Sequence, residues 1–260
     1  MSEHLPLIHG LDGPAHVLVT GASRGIGLAI TEVVLAHPQV ASVTALARHA
    51  SGSTALARLA EAAPGRLHRA DVDLTDEAAL DALADALAAR HPSLTLVVNA
   101  AGVLHGDGLQ PEKSVREVRR QSLEQVFALN AFAPVLLARA LLPLLERGPA
   151  VFASLSARVG SIGDNRLGGW YAYRASKAAQ NQLMRTFAIE WSRRNRQGCC
   201  LLLHPGTVDT ALSAPFQKNV PPAKLFEPAR AARQLLAIIA GATPADSGRF
   251  IAWDGQDIPW

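Results

Sequence analysis

The chain has 260 residues, 49% of them apolar and 18% charged, enough to bury a sizeable core in one α/β domain. That composition excludes a disordered regulator and a small disulfide-stapled module. The net charge of +3 comes from arginines scattered along the whole chain rather than from a basic patch, so no nucleic-acid partner is expected.

Residues 1–14 are polar early and carry no apolar signal core, so they are expected to form an N-terminal tail on a cytoplasmic protein. His16–Thr20 is an apolar run that reads as a strand. It ends in the turn Gly21-Ala22-Ser23-Arg24-Gly25, and Ile26–Ala36 follows as a helix. Val40–Ala47 reads as a second strand, Ala55–Ala63 as a helix, and Arg66–Ala70 as a short strand. Thr75-Asp76-Glu77 opens another helix with a capping residue and first-turn acids, continuing to Leu87. Leu94–Asn99 is a dense apolar strand leading to the turn Ala100-Ala101-Gly102. A long helix is expected over about Leu123–Glu146. Its apolar stretch is interrupted by Asn130, Pro134, Arg139 and Pro143, so no membrane span is expected. The strand Ala150–Ser156, a helix from Tyr171 to Arg194, the strand Cys199–His204, a helix Pro228–Ala240 and a strand Phe250–Ala252 complete the series. Arg193-Arg194-Asn195-Arg196 suits a helix C-terminus, where cations offset exposed carbonyls. Cys199 and Cys200 are neighbours in a strand and should face opposite sides, so they suggest neither a disulfide nor a metal site. The nine histidines show no metal-ligand spacing either.

Strands that are apolar on both faces and alternate with helices specify an α/β fold of one domain, residues 1–260. We expect a doubly wound, Rossmann-type parallel sheet of about seven strands with helices on both faces. Ligands sit beyond the carboxyl ends of such strands. The irregular segments 103–120 and 209–225 both follow strand ends, and we read them as substrate-site loops.

The glycines of Thr20-Gly21-Ala22-Ser23-Arg24-Gly25-Ile26-Gly27 allow a tight turn and a close approach to a pyrophosphate at a helix N-terminus. Their G-x-x-x-G-x-G spacing resembles the TGxxxGxG motif of the short-chain dehydrogenases/reductases. Asp71-Val72 resembles the acidic pair of that family that contacts adenine. Asn99-Ala100-Ala101-Gly102 is similar to its NNAG motif, with Ala100 replacing the second Asn. Tyr173-Arg-Ala-Ser-Lys177 resembles YxxxK, and Pro205-Gly206-Thr207-Val208-Asp209-Thr210 resembles PGxVxT. The resemblance spans essentially residues 16–253, and the stretch VGSIGDNRLGGWYAYRASKAA is similar to the C-factor and sniffer-like carbonyl-reductase branch. It implies a nicotinamide cofactor held by Gly21, Ser23, Arg24, Gly25, Ile26, Gly27, Asp71, Val72, residues 99–102, Tyr173, Lys177, Pro205, Gly206, Thr207, Val208 and Thr210. It also suggests a homodimer or homotetramer built on the long helices.

Tyr173 and Lys177 stand four apart, on one helical face. A neighbouring ammonium stabilises phenolate and lowers the phenol pKa, making Tyr173 a usable general acid; the resemblance adds that Lys177 holds the nicotinamide ribose. Asn130 lies in an apolar stretch and must be hydrogen-bonded, to the helix backbone or, as the family implies, to a water near Lys177. The family's serine stands three residues before a glycine. Counting back from Gly160 gives Ala157, whereas counting along the strand gives Ser156. We expect Ser156, with Ser161 next. The second strand ends Ala47-Arg48 without an acid, so Arg48, with Arg24, favours NADP(H) over NAD(H).

The expected function is reduction of a small apolar aldehyde, ketone or quinone to the alcohol. Two alternatives stand beside it: a dinucleotide-binding signalling protein with little turnover, and an epimerase or dehydratase of the same fold.

Overall fold

The computed structural model describes residues 6–106 and 108–260. The elements run β1 (Ala15–Thr20), α1 (Gly25–Leu35), β2 (Val40–Ala47), α2 (Thr54–Ala62), β3 (Leu67–Asp71), α3 (Glu77–Ala88), β4 (Leu96–Asn99), α4 (Arg120–Phe127), α5 (Ala133–Leu145), β5 (Ala150–Leu155), α6 (Tyr171–Arg194), β6 (Gly198–His204), β7 (Thr207–Val208), β8 (Leu225–Phe226), α7 (Pro228–Gly241) and β9 (Phe250–Ala252). Seven strands pair in the order β3-β2-β1-β4-β5-β6-β9, all parallel, while β7 and β8 form a separate two-residue ribbon. The strand order reverses between β1 and β4, and that switch point opens a crevice beyond the strand ends.

Alternate residues of each strand enter opposite layers of the core. Val17, Val19, Ala153, Leu155, Leu201 and Leu203 pack with Ile30 and Val34 of α1 and Leu235 of α7. Leu18, Phe152 and Leu202 pack on the other face with α3, α5 and α6, through Leu80, Leu141, Met184 and Trp191. Cys199 and Cys200 divide between the two layers as period-two alternation requires. Burial pushes the Cys199 thiol up to about 12, and both cysteines are free.

The helix expected over 123–146 is interrupted. Pro134 has no N–H to offer the carbonyl of Asn130 four residues earlier. The chain passes this point as a π turn, Ala128–Phe132, with the Ala133 N–H bonded back to the Ala128 carbonyl. By length and composition the continuous stretch Arg120–Leu145 would suit a bilayer, but it packs into the core, and 56% of its most apolar window is buried.

The N-terminal segment is no free tail. Leu7 and Ile8 are buried against the core, and the Leu7 N–H donates to Gln39 Oε1 at 2.8 Å. Residues 1–5 of the expected tail lie outside the described residues. In 103–120, Leu104, Leu109 and Glu112 are buried; Asp107 is outside the described residues. In 209–225, short 3-10 turns cover Ala214–Asn219 and Pro222–Lys224, and the β7–β8 ribbon closes the loop at its base. The arginine run falls at the end of α6, with Arg194 3.3 Å from Glu146.

Candidate active site

The nucleotide side of the crevice is built from backbone. Gly21 takes φ +64, a left-handed conformation open to glycine at little cost. A Cβ there would lie 3.0 Å from the Ala100 carbonyl, and one on Gly27 would lie 2.3 Å from the Gly21 oxygen. The glycines therefore bring β1, α1 and the 100–102 turn together at backbone contact. No side chain caps α1, whose residue 24 sits extended at the N-cap, so its first N–H groups face outward. The Ala22 N–H ties the turn to Leu46 of β2 at 3.1 Å.

Thr210 reaches the same turn, 3.2 Å from where a Gly25 Cβ would lie. This brings the 205–210 segment beside the glycine loop, although Gly25 and Thr210 stand 185 positions apart in sequence. Arg24 and Arg48 are exposed at the rim. Asp71, at the end of β3, accepts from the Ser51 N–H at 2.7 Å and from the Ser51 hydroxyl; these bonds hold its carboxyl below the ordinary range. Val72 is tied by its N–H to the Ala47 carbonyl at 3.0 Å. Outward N–H groups, two guanidinium groups and glycine backbone that leaves no room for side chains form a cradle that fits a dinucleotide.

The other side is built from side chains on one buried stripe of α6: Tyr173, Ser176, Lys177, Gln180 and Asn181. Lys177 Nζ donates to the Leu155 carbonyl at 2.9 Å and to Gln180 Oε1 at 2.8 Å, leaving one of its three N–H bonds. Gln180 Nε2 donates to Ser154 Oγ at 2.8 Å, and Ser154 Oγ also accepts from Asn99 Nδ2 at 3.0 Å. Asn99 Oδ1 accepts from the Thr20 hydroxyl at 2.7 Å. A buried hydrogen-bonded chain thus runs from Lys177 across β5 and β4 to the end of β1.

Nζ lies 6.0 Å from the centroid of the Tyr173 ring. Burial lowers Lys177 to about 7 and raises Tyr173 to about 12. The expected fall in the phenol pKa is therefore reversed. The ring is 9% exposed, and its desolvation outweighs an ammonium that is turned toward β5.

A short chain dehydrogenase family model matches residues 15–221. The chain is 33% identical to a 1-hydroxy-2-glutathionyl-2-methyl-3-butene dehydrogenase of Rhodococcus sp., over 94% of this chain and 99% of that one. It is 34% identical to C-signal of Myxococcus xanthus, over 64% and 92%. The structure of an NADPH-bound carbonyl reductase from chicken fatty liver superposes with a TM-score of 0.85 at 29% identity, over 95% and 100%. The chain belongs to the short-chain dehydrogenase/reductase family. It is an NAD(P)-dependent oxidoreductase with the doubly wound fold of the carbonyl reductases.

Within that family, this dehydrogenase/reductase departs from expectation at the serine. The Ser156 hydroxyl donates to Asn181 Oδ1 at 2.6 Å. A hydroxyl has one proton to donate, so the Ser156 proton expected at a carbonyl is directed here to Asn181. The cause is register. As the residue following β5, Ser156 points beneath α6, where Asn181 lies two turns beyond Tyr173. Ser161 Oγ accepts from the Asp164 N–H at 3.1 Å and lines a cleft with Tyr171, Arg174, Ala175 and Ala178, on a flank of α6 apart from Tyr173 and Lys177.

Asn130 is also more fully engaged than expected. Its Nδ2 donates to the Val103 carbonyl at 2.8 Å and to Ser176 Oγ at 3.2 Å, while Oδ1 accepts from the Val103 N–H at 2.8 Å. The amide therefore clips the start of the 103–120 loop to the π turn. Oδ1 and Lys177 Nζ both border Gly102, 3.4 and 3.8 Å from where its Cβ would lie.

Sequence reasoning missed Gln180, Asn181, Ser154, Glu112 and His105. The first two had a readable signal: polar residues at 173, 176, 177, 180 and 181 repeat with helical period on a face that must be buried. The others act through contacts that no local spacing announces.

Proposed function

We propose that this short-chain dehydrogenase/reductase is an NADPH-dependent carbonyl reductase acting on small apolar aldehydes, ketones or quinones. The observation that carries this reading is the Tyr173–Lys177 pair on consecutive turns of α6, at the strand ends beside the glycine cradle. Bound NADPH would supply the hydride to the carbonyl carbon. Tyr173 would donate its phenolic proton to the carbonyl oxygen as the alcohol forms. Lys177 would direct its remaining N–H to the ribose hydroxyls and, once charged beside the phenol, make phenolate easier to form. The second lone pair of Asn130 Oδ1 would hold the water that returns a proton toward Lys177. Arg24 and Arg48 would grip the 2′-phosphate, Asn99 to Gly102 would line the cofactor's floor, and Pro205 to Thr210 would meet its carboxamide and phosphates. With Ser156 bonded to Asn181, Tyr173 is the hydroxyl donor this reading assigns to the carbonyl.

A second reading, dinucleotide binding for signalling without turnover, is favoured by that occupied Ser156 and by the identity to C-signal. NADPH oxidation at 340 nm over a panel of aldehydes, ketones and quinones separates the two. Reduction is expected for the native protein, with a loss of at least about 100-fold in Tyr173→Phe. NADPH binding without oxidation on any compound would transfer the conclusion to the second reading.

A further inference from the structure

Above the proton donor lies a continuous run of rings. Tyr173 meets Trp170 edge-to-face with centroids 6.2 Å apart, Trp170 meets Phe216 at 4.9 Å, and Phe216 meets His105 at 5.7 Å. Four segments supply them: α6, the turn before it, the 209–225 loop and the 103–120 loop. The run is held in place from outside. His105 Nε2 lies 3.0 Å from the Ala211 carbonyl, joining the two loops. Trp170 is the one described non-glycine residue with positive φ, +53. Buried Glu112 pins that turn: its carbonyl accepts from the Trp170 N–H at 2.5 Å and its Oε2 from the Ala172 N–H at 3.1 Å.

Tyr173 is 9% exposed, so a substrate brought to its hydroxyl would lie against these rings and compete with their edge-to-face contacts. An aryl group inserted there remakes such contacts; a saturated group of equal size gives burial alone. Resting on the reductase reading, we propose that the substrate is an aryl carbonyl compound, with its ring seated against Trp170 and Phe216.

Unreactive amides test this without interference from carbonyl reactivity. Dissociation constants for benzamide and cyclohexanecarboxamide are measured by calorimetry on the NADP-loaded protein, beside kcat/KM for phenyl and cyclohexyl methyl ketones. Benzamide is expected to bind about 2- to 12-fold tighter, the range of one or so aromatic pairs. Trp170→Leu and Phe216→Leu should each bring the ratio toward one. Equal binding, or tighter binding of the saturated amide, overturns the proposal. Absence of reduction with either ketone would instead count against the reductase reading, and the binding ratio would still judge the aryl site.

The buried chain carries a second inference independently. Gln180 is fully buried within the stripe, where it receives one Lys177 N–H and is braced by Ser154 and the Leu155 carbonyl at 3.2 Å. We infer that Gln180 is a positioning residue that holds the Lys177 ammonium against β5, so that its third N–H faces the ribose. The neighbours of Nζ are Tyr173 on α6, the Leu155 carbonyl on β5, Asn130 in the π turn and Gly102 after β4. Tyr173 is the one titratable group among them. Removing the acceptor therefore leaves a buried cation less compensated. The Lys177 titration, followed by NMR of labelled lysine in cofactor-free protein, should move to lower pH in Gln180→Leu and to higher pH in Gln180→Glu. NADPH affinity at pH 8 should fall in the first and recover in the second. An unmoved titration in both, with only a lower Tm, would reduce Gln180 to a packing residue.

Discussion

The glycine turn after β1 and the polar stripe of α6 face each other across one crevice, and they are built on opposite plans. The turn works through backbone: its residues are consecutive, and its geometry depends on the absence of side chains at Gly21 and Gly27. The stripe works through side chains, each held by a partner from another element: Lys177 by β5, Asn181 by Ser156, and Gln180 by Ser154. A backbone device tolerates little change because the neighbouring backbone cannot move aside. A side-chain network tolerates loss of one member in proportion to what that member satisfies.

The sharpest contrast is expected at Gly27. Gly27→Ala places a Cβ 2.3 Å from the Gly21 oxygen and 2.7 Å from its carbonyl carbon. We expect a loss of about 3 kcal/mol or more, roughly 6–12 °C in Tm, with NADPH binding lost as well. Thermal melts and fluorescence titration check this; near-native values would show that the turn is softer than its contacts imply.

On the side-chain plan, the expected pH response belongs to Lys177. Its folded value of about 7 lies below its ordinary 10.5, so above pH 7 the unfolded chain binds more protons than the folded one. Stability of the cofactor-free protein should therefore rise with pH from 7, by up to about 1.4 kcal/mol per pH unit. The clean window closes near pH 9, because Cys199 and Cys200 titrate from about there in the unfolded chain and later when folded, which lowers stability as pH rises further. Denaturant melts at pH 7, 8 and 9 should show the rise in native protein and not in Lys177→Met.

At the rim, Arg48→Ala and Arg24→Ala should each weaken NADPH binding by about 10-fold, the scale of a lost charge-assisted hydrogen bond at an exposed site, and leave NADH binding unchanged. Parallel loss for both cofactors would remove the assignment to the 2′-phosphate. The smallest effect is expected at Ser156. Ser156→Ala should cost about 1 kcal/mol of stability through Asn181 and change turnover by less than about 2-fold. A fall of 100-fold would restore Ser156 to the carbonyl.

Much of the crevice was legible in the chain itself. Strand and helix order, the glycine cradle and the Tyr173–Lys177 pair are encoded in local spacing, because turns, helical faces and strand alternation repeat over a few residues. Tyr171–Arg194 and Phe250–Ala252 were read to the residue for that reason. The serine was not legible in this way. Whether Ser156 or Ala157 faces the substrate depends on where β5 ends relative to α6, and that register is held by Asn181, 25 residues away. The π turn at Asn130 needed Pro134 to be read as a missing donor, and the phenol's rise to about 12 needed the burial that Trp170 and the two loops impose. Local sequence, then, determined the sheet, the glycine turn after β1 and the placing of Tyr173 and Lys177 on one face of α6. Tertiary structure alone decided where the Ser156 hydroxyl is bonded, what holds Lys177 and which rings meet beside Tyr173, because each of those depends on partners brought together from distant parts of the chain.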